Sequence, residues 1–241
     1  MDGIPQNGPG VLETGETFTY EWIAQPAGVH LYHCHSLPLK EHIHRGLYGV
    51  IVVDPDPERV AERPREYLND HGPITDELRA RLVAEAESRN HQSGTDEVNE
   101  MVMVMNGFDT NFDGDNEVYA ANTRAFAYGV GHTDGEGNWQ PGETKRPIQI
   151  DRTERQRVYL VNTIEFDPIN SFHTHSQLFD YYDHGTTLLP TETNVDTIMQ
   201  CQAQRGIVEL DYSDHDPGLY MFHAHQSEFA ELGWMSFFEV V

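Results

Sequence analysis

The chain has 241 residues, enough for a sizeable hydrophobic core in one large domain or two smaller ones. Its 40 acidic residues outnumber its 15 basic residues, giving a formal net charge of −25. This charge repels nucleic acids and anionic membranes, so we expect neither as a partner. Such an acidic surface resembles that of proteins from high-salt cells, where salt screens the self-repulsion, and predicts a halophilic protein.

The first predicted strand, residues 29–35, ends in the metal-ligand pattern His33-Cys34-His35. Side chains alternate between the two faces of a strand, so Cys34 points to one face while His33 and His35 share the other. The strand therefore offers a soft thiolate to one metal ion and a pair of imidazoles to another.

The residues after this strand complete a copper-type ligand set. A cysteine, histidines and a weak axial group are the ligands of a blue copper centre. The pattern His-x-x-x-Gly-Leu predicts a loop that closes such a site, with His42 as ligand and Leu47 at the axial position. A non-coordinating leucine there favours Cu(I) and raises the reduction potential. His44 is the alternative to His42 as ligand.

Residues 56–100 are predicted to form a linker and a helical insert. The stretch 54–72 is rich in proline and charged residues, which is typical of a linker. Thr75 is a favourable N-cap, and acidic residues follow it in the first turn of a helix predicted to end at Arg89. The apolar stripe of this helix consists of Leu78, Leu82 and Val83.

Two further His-x-His pairs lie in the second domain, which we expect to open with a buried strand at 101–105. They are His173/His175 and His223/His225. On strands, both members of a pair project to the same face. A structural zinc site is the alternative explanation for one such pair, but it explains poorly three like-spaced pairs of which one brackets a cysteine.

The two halves of the chain repeat each other. Residues 28–35 align without gaps with residues 218–225. Upstream of them, residues 15–22 parallel residues 206–212, and downstream, residues 46–53 align with residues 233–240. Both copies consist of short alternating strands separated by glycine, which is typical of β-sandwich domains. Ala224 stands where the first copy has its cysteine, so we expect no blue copper in the second domain.

The repeat also predicts that the first domain is incomplete. His175 lies 31 residues before Gly206, and the position 31 residues before the equivalent Gly15 falls before Met1. We therefore expect the opening strands of the first domain, a fourth histidine pair and the second histidine of the blue copper site to lie upstream.

Taken together, these residues resemble the two-domain multicopper oxidases, which are related to laccases and copper nitrite reductases. The resemblance covers residues 1–53 and about 101–241. It implies an all-β protein with two cupredoxin-like Greek-key β-sandwich domains and a short helical insert between them. The first, partial domain is predicted at residues 1–55, the insert at 56–100 and the second domain at 101–241.

The resemblance also implies copper as cofactor. A type 1 centre in the first domain would involve Cys34, His42 and Leu47. A trinuclear type 2/type 3 cluster would form at the interface between subunits of a homotrimer, where the first domain of one subunit meets the second domain of its neighbour. The cluster ligands would be His33, His35, His173, His175, His223 and His225.

The implied activity is the one-electron oxidation of a phenolic or metal-ion substrate, coupled to four-electron reduction of O2 to water. The expected partners are therefore O2 and a small reducing substrate. Protons would pass through Glu228 or Glu231, unless these are solvated carboxylates. Two alternatives remain: a copper nitrite reductase, which needs only one catalytic copper with three histidines, and a non-catalytic copper-binding or electron-transfer protein.

The location is predicted from the same resemblance. Family members generally work outside the cytoplasm, which implies a periplasmic, cell-surface or secreted protein, although residues 1–10 contain no signal peptide. No apolar run is long enough to span a membrane. The two cysteines do not make a disulfide framework, and we expect Cys201 to be a buried small hydrophobe.

Overall fold

The computed structural model describes residues 8–90, 98–127, 132–133, 135–140 and 147–241. Most of its regular structure is β, which confirms the predicted fold class. Within these ranges the strands are β1 (Gly28–His33), β2 (Tyr48–Val53), β3 (Val98–Phe108), β4 (Val118–Ala121), β5 (His132–Thr133), β6 (Trp139–Gln140), β7 (Ile148–Ile150), β8 (Arg155–Asn162), β9 (Ile169–Thr174), β10 (Phe179–Asp183), β11 (Glu192–Val195), β12 (Thr197–Cys201), β13 (Arg205–Leu210), β14 (Gly218–His223) and β15 (Met235–Val240). The helices are α1 (Leu39–His44), α2 (Pro57–Glu62), α3 (Asp76–Arg89) and α4 (Ser227–Glu231), with a 3-10 turn at Pro64–Tyr67.

The second half of the chain is a β-sandwich. One sheet has the strand order β11-β10-β13-β8-β3-β4 and the other has the order β12-β9-β14-β15-β7. Antiparallel neighbours that are distant in sequence, such as β9 and β14, are typical of Greek-key connections. Alternate residues of both sheets turn inward, and their apolar core includes Phe172, Phe222 and Trp234. This sandwich fixes the positions of β9 and β14, which carry the later histidine pairs.

The first half contributes a two-stranded antiparallel sheet, in which β1 pairs with β2 from Gly28↔Val53 to His33↔Tyr48. One face of this hairpin packs against the sandwich, where Val29 is fully buried among side chains of β8, β10 and β13. The Arg205 side chain also donates a hydrogen bond of 2.9 Å to the carbonyl oxygen of Val29. The hairpin and the sandwich are therefore in direct contact.

The internal repeat is visible in the structure as two strand–helix–strand units. The first is β1-α1-β2 and the second is β14-α4-β15. Gly46 and Gly233, which the alignment places together, both have positive φ, at 87° and 121°. Glycine adopts this backbone conformation at little cost, which explains its use where each helix turns into the following strand.

The upstream part of the repeat behaves differently. Residues 206–210 lie in β13, whereas the equivalent residues near 15–20 are assigned to no strand. A segment joins a sheet only where a neighbouring strand offers hydrogen-bonding groups. Among the described residues, no ladder partner lies beside this segment, and Trp22 and Ile23 remain exposed.

The insert consists of α2, the 3-10 turn and α3. Thr75 is the N-cap of α3, as predicted, and its hydroxyl accepts a hydrogen bond of 3.1 Å from the Leu78 amide. Leu82 is fully buried, and the small core around it includes Leu188, which lies between β10 and β11. The predicted linker at 54–72 thus contains short helices, and residues 91–97 of the insert lie outside the described residues.

A buried charge network holds α3 against the sandwich. The fully buried guanidinium of Arg157 contacts Glu209 at 2.8 Å and Glu100 at 3.0 Å. It also donates hydrogen bonds to Ser88 at the end of α3. Each partner thus reduces the cost of burying the others.

Two further predictions can be compared with the fold. No helix in the described ranges is both long and apolar enough to cross a membrane. The prediction that Cys201 is buried is wrong, because this residue is exposed. Cys201 is the last residue of β12, where the strand gives way to a turn, so its side chain leaves the sandwich core.

Candidate metal centre

The thiol and one imidazole of the first site lie within contact distance. Cys34 follows β1 directly, and its Sγ is 3.3 Å from Nδ1 of His42 in α1. The Ser36 amide donates to the same sulfur at 3.4 Å. The sulfur thus lies beside an imidazole nitrogen and a backbone amide, and a cysteine sulfur next to an imidazole is a donor set that a soft metal ion can bind.

Backbone hydrogen bonds close the loop around this thiol. The Leu47 amide donates to the carbonyl oxygen of His42 at 3.0 Å, and the Cys34 amide donates to the carbonyl oxygen of Leu47 at 2.8 Å. The side chain of Leu47 is half exposed. Leu47 therefore belongs to the loop predicted to close the site.

His44 is directed away from the thiol. It is buried, and its Nδ1 lies 3.1 Å from the carbonyl oxygen of Gly107 at the end of β3. Of the two histidines considered as ligands in this loop, only His42 approaches Cys34. The geometry thus favours His42.

His33 and His35 form an exposed pair on the other side of Cys34, with ring centroids 6.0 Å apart. His33 Nδ1 lies 2.8 Å from the carbonyl oxygen of Cys34. A carbonyl oxygen can only accept, so the imidazole proton lies on Nδ1 and the Nε2 lone pair is free. The same strand end thus presents a thiolate and imidazole ligands.

The four later histidines converge at one edge of the sandwich. His173 of β9 lies directly opposite His223 of β14 in the antiparallel register. His175 and His225 follow these strands, and the contacting rings of the four have centroids 4.8–5.8 Å apart. Ligand atoms of His173, His175 and His223 all lie within 4.8 Å of one another. This spacing allows several imidazoles to bind one metal ion.

Hydrogen bonds fix the tautomers of two of these rings. His173 Nδ1 lies 2.8 Å from the carbonyl oxygen of Asp196 and 2.8 Å from Thr197 Oγ1, and His223 Nδ1 lies 2.6 Å from the carbonyl oxygen of Ala224. Both rings therefore carry their proton on Nδ1 and direct a lone pair on Nε2 into the cluster. His175 Nε2 and His223 Nε2 are 3.0 Å apart. Neutral imidazoles with converging Nε2 atoms are the donor set expected of a copper site.

Burial is the main cause that lowers the pKa of His173 and His223 below the ordinary imidazole value. The hydrogen bonds to the Asp196 and Ala224 carbonyl oxygens oppose this shift, and the neighbouring histidines reinforce it. A neutral imidazole is the form that binds a metal ion, and the lowered pKa favours this form of His173 and His223.

Several residues that hold the histidines were not predicted from the sequence. Thr197 reaches His173 because β12 pairs with β9 in the register Thr197↔His173. The Ser171 hydroxyl accepts a hydrogen bond of 2.7 Å from the His225 amide and donates to the side chain of Gln226. These contacts depend on strand register, which the spacing of the histidines does not reveal.

The counterpart of Cys34 in the second copy of the repeat is buried and has no thiol. Ala224 is fully buried, and its amide donates to the carbonyl oxygen of Trp234 at 3.2 Å, as the Cys34 amide does to Leu47. Glu228 and Glu231, considered as proton relays, are both exposed on α4. Exposure is the expected property of a solvated carboxylate.

The chain matches family models along most of its length. A model described as multicopper oxidase matches residues 1–58, and a second model with the same description matches residues 109–241. The second match alone covers more than half of the chain, and the chain belongs to the multicopper oxidase family. This assignment agrees with the β-sandwich and the thiolate and imidazole groups described above.

Individual relatives agree with this assignment. A curated protein, multicopper oxidase CTB12 from Cercospora beticola, is 40% identical over 63 residues, which cover 26% of this chain and 9% of that protein. A solved multicopper oxidase structure is 41% identical, with a TM-score of 0.69, and the match covers 99% of this chain and 65% of that one. The chain therefore spans about two thirds of the length of that relative and a small fraction of the curated one.

A more distant structure shares the fold. The copper nitrite reductase from Nitrosomonas europaea is 22% identical, with a TM-score of 0.65, over 95% of this chain and 68% of that one. At this identity the similarity concerns the fold alone, and the function must be argued from the site.

Proposed function

We propose that this protein is a copper-dependent oxidoreductase of the multicopper oxidase type. It would oxidise a phenolic or metal-ion substrate at a type 1 site on Cys34 and His42 and reduce O2 to water at a trinuclear site on the histidine pairs. The observation that carries the proposal is the 3.3 Å contact between Cys34 Sγ and His42 Nδ1, with histidines on both sides of the cysteine. Copper, when bound, supplies one-electron redox chemistry at the first site and O2 reduction at the second.

The chain's own residues connect the two sites. Cys34 is covalently joined to His33 and His35, so electrons can move from the thiolate side to the imidazole side through one strand end. The hydrogen bond of 2.8 Å from His33 Nδ1 to the Cys34 carbonyl oxygen adds a second connection. It also fixes the ring so that Nε2 remains available as a ligand.

We infer that the two groups of histidines meet across two copies of the chain. In the part of the chain that the structure describes, neither a hydrogen bond nor a ring contact joins His33 or His35 to the cluster of the second domain. We propose that the first domain of one copy meets the second domain of another, as in a homotrimer. Closed cyclic assembly provides one such interface per copy.

The experiment that tests the proposal is copper loading followed by O2 uptake with a phenolic reductant. The paired variants His173→Ala and His223→Ala should lose O2 uptake and part of the bound copper, yet retain the visible thiolate-to-copper band. His184→Ala, a partly exposed histidine outside the cluster, is the matched control. Consumption of nitrite but not O2 by the wild-type protein would instead support the reductase, and copper binding with neither reaction would support an electron-transfer protein.

A further inference from the structure

We propose that His44 is a positioning residue that docks the copper-ligand loop, residues 39–47, onto the second domain and so holds His42 beside Cys34. The copper-ligand loop comprises α1 and the turn that leads into β2. The inference rests on the proposed function for the role of Cys34 and His42, whereas the docking contact is a feature of the protein without metal.

The first contact is polar and joins the two domains. His44 has only 9% of its surface exposed. Its Nδ1 lies 3.1 Å from the carbonyl oxygen of Gly107 and 3.3 Å from the amide nitrogen of Asp109. Its Nε2 is buried without a hydrogen-bond partner among the described residues. Burying an unpaired nitrogen has a cost, so the other contacts of the ring must offset it.

The second contact is aromatic. The His44 ring stacks on Phe166 at a centroid distance of 5.4 Å and an interplanar angle of 18°, and it meets the edge of Phe112 at 6.5 Å. Both phenylalanines have positive φ, 70° for Phe166 and 62° for Phe112. Bulky residues rarely adopt this conformation, and it persists only where the surroundings fix it. The backbone is thus strained at Phe112 and at Phe166, the two residues whose rings flank His44.

Two cations of the same loop contact the same two rings. Lys40 Nζ lies 5.4 Å from the centre of the Phe166 ring, and the guanidinium of Arg45 lies 5.5 Å from that of Phe112. A cation over an aromatic face is attracted by the ring quadrupole. The loop therefore contacts both phenylalanine rings through cationic side chains as well as through His44, which adds a buried polar contact.

The docked loop carries the groups that face the thiol. His42 lies two residues before His44 in the same helix, and its carbonyl oxygen accepts the Leu47 amide at 3.0 Å. The Leu47 carbonyl oxygen in turn accepts the Cys34 amide. A shift of the loop is therefore transmitted to the separation of His42 and Cys34, and errors of about 1 Å are enough to impair a metal site.

The test compares His44→Ala, which removes both contacts, with His44→Asn, which keeps a polar group near the position of Nδ1. His71→Ala is the control, because His71 is an exposed histidine in the insert. Hydrogen exchange of the amides of residues 45–47 in metal-free protein reports docking. The visible thiolate-to-metal band with Cu²⁺ or Co²⁺ reports the geometry at Cys34.

We expect His44→Ala to accelerate this exchange by about fivefold or more, the equivalent of one net hydrogen bond, and to shift the band. His44→Asn should restore both in part, and His71→Ala should match wild type. Unchanged exchange in His44→Ala and His44→Asn would overturn the proposal. If His44→Ala does not fold, exchange in His44→Asn decides. A wild-type protein without any thiolate band would refute the proposed function, while exchange would still decide whether His44 docks the loop.

Discussion

Replacing Thr197 with valine tests whether contacts behind the histidines prepare the metal site. Valine has nearly the shape of threonine but lacks the hydroxyl, so His173 Nδ1 would lose one of its two acceptors at 2.8 Å and keep the Asp196 carbonyl oxygen. A net hydrogen bond contributes about 1 kcal/mol, which corresponds to about fivefold in affinity. Loss of such supporting contacts in metal sites costs 10–100-fold, so we expect about tenfold weaker binding.

The assay is a competition titration of metal-free protein with Zn²⁺ against a chelator of known affinity. Thr187→Val is the matched control, because it removes a threonine hydroxyl that donates a hydrogen bond of 2.9 Å to the carbonyl oxygen of Leu189, away from the histidines. Both variants should lose about 1 kcal/mol of folding stability, but only Thr197→Val should weaken Zn²⁺ binding. Equal affinities for the two variants would show that the Asp196 carbonyl alone orients the His173 ring.

Three further predictions concern stability. Arg157→Met removes the 2.8 Å ion pair of the buried Glu209, which keeps only Arg155 at 3.6 Å and the Tyr182 hydroxyl at 3.1 Å, and it also removes the ion pair with Glu100. The free energy of unfolding should therefore fall by about 3 kcal/mol in urea titrations, against less than about 0.5 kcal/mol for the exposed control Arg81→Met. Equal losses would contradict a role for the network. Hydrogen bonds from the Thr153 amide and hydroxyl lower the pKa of Asp151, so its ionised form stabilises the fold above the ordinary carboxyl pKa of about 3.9, and this contribution is lost as the pH falls through the folded value. Asp151→Asn should thus melt below wild type at pH 7 and together with it in strong acid, and a difference that persists in acid would refute this assignment. Because the net charge is −25, the melting temperature should rise from dilute buffer to molar salt, and a flat or falling curve would count against a halophilic surface.

The sequence predicted the fold and the repeat because both follow from local patterns. The alternation around Gly28–His33 and Gly218–His223 matches β1 and β14, and the N-cap at Thr75 marks the start of α3. These features depend on neighbours in the chain, which a sequence displays directly.

What the sequence could not predict depends on contacts between distant segments. Thr197 reaches His173 only through the pairing of β12 with β9. Both His42 and His44 are candidate ligands by their spacing, and the contact of His44 with Gly107 shows that its ring is directed away from Cys34. Cys201 was misjudged because cysteine is usually buried, whereas here it ends a strand at the surface. Strand register and contacts between distant loops arise from tertiary packing, and no short sequence motif predicts them.

The central claim is that Cys34 and His42 hold a copper ion, and the visible absorption spectrum of the copper-loaded protein tests it most directly. Cys34→Ser should abolish the thiolate-to-copper band, whereas Cys201→Ser, which removes the other cysteine, should leave it unchanged. His42→Ala should shift or abolish the band, and His44→Ala should shift it without abolishing it. A Cys34→Ser variant that keeps a strong blue absorption would contradict the assignment of this site.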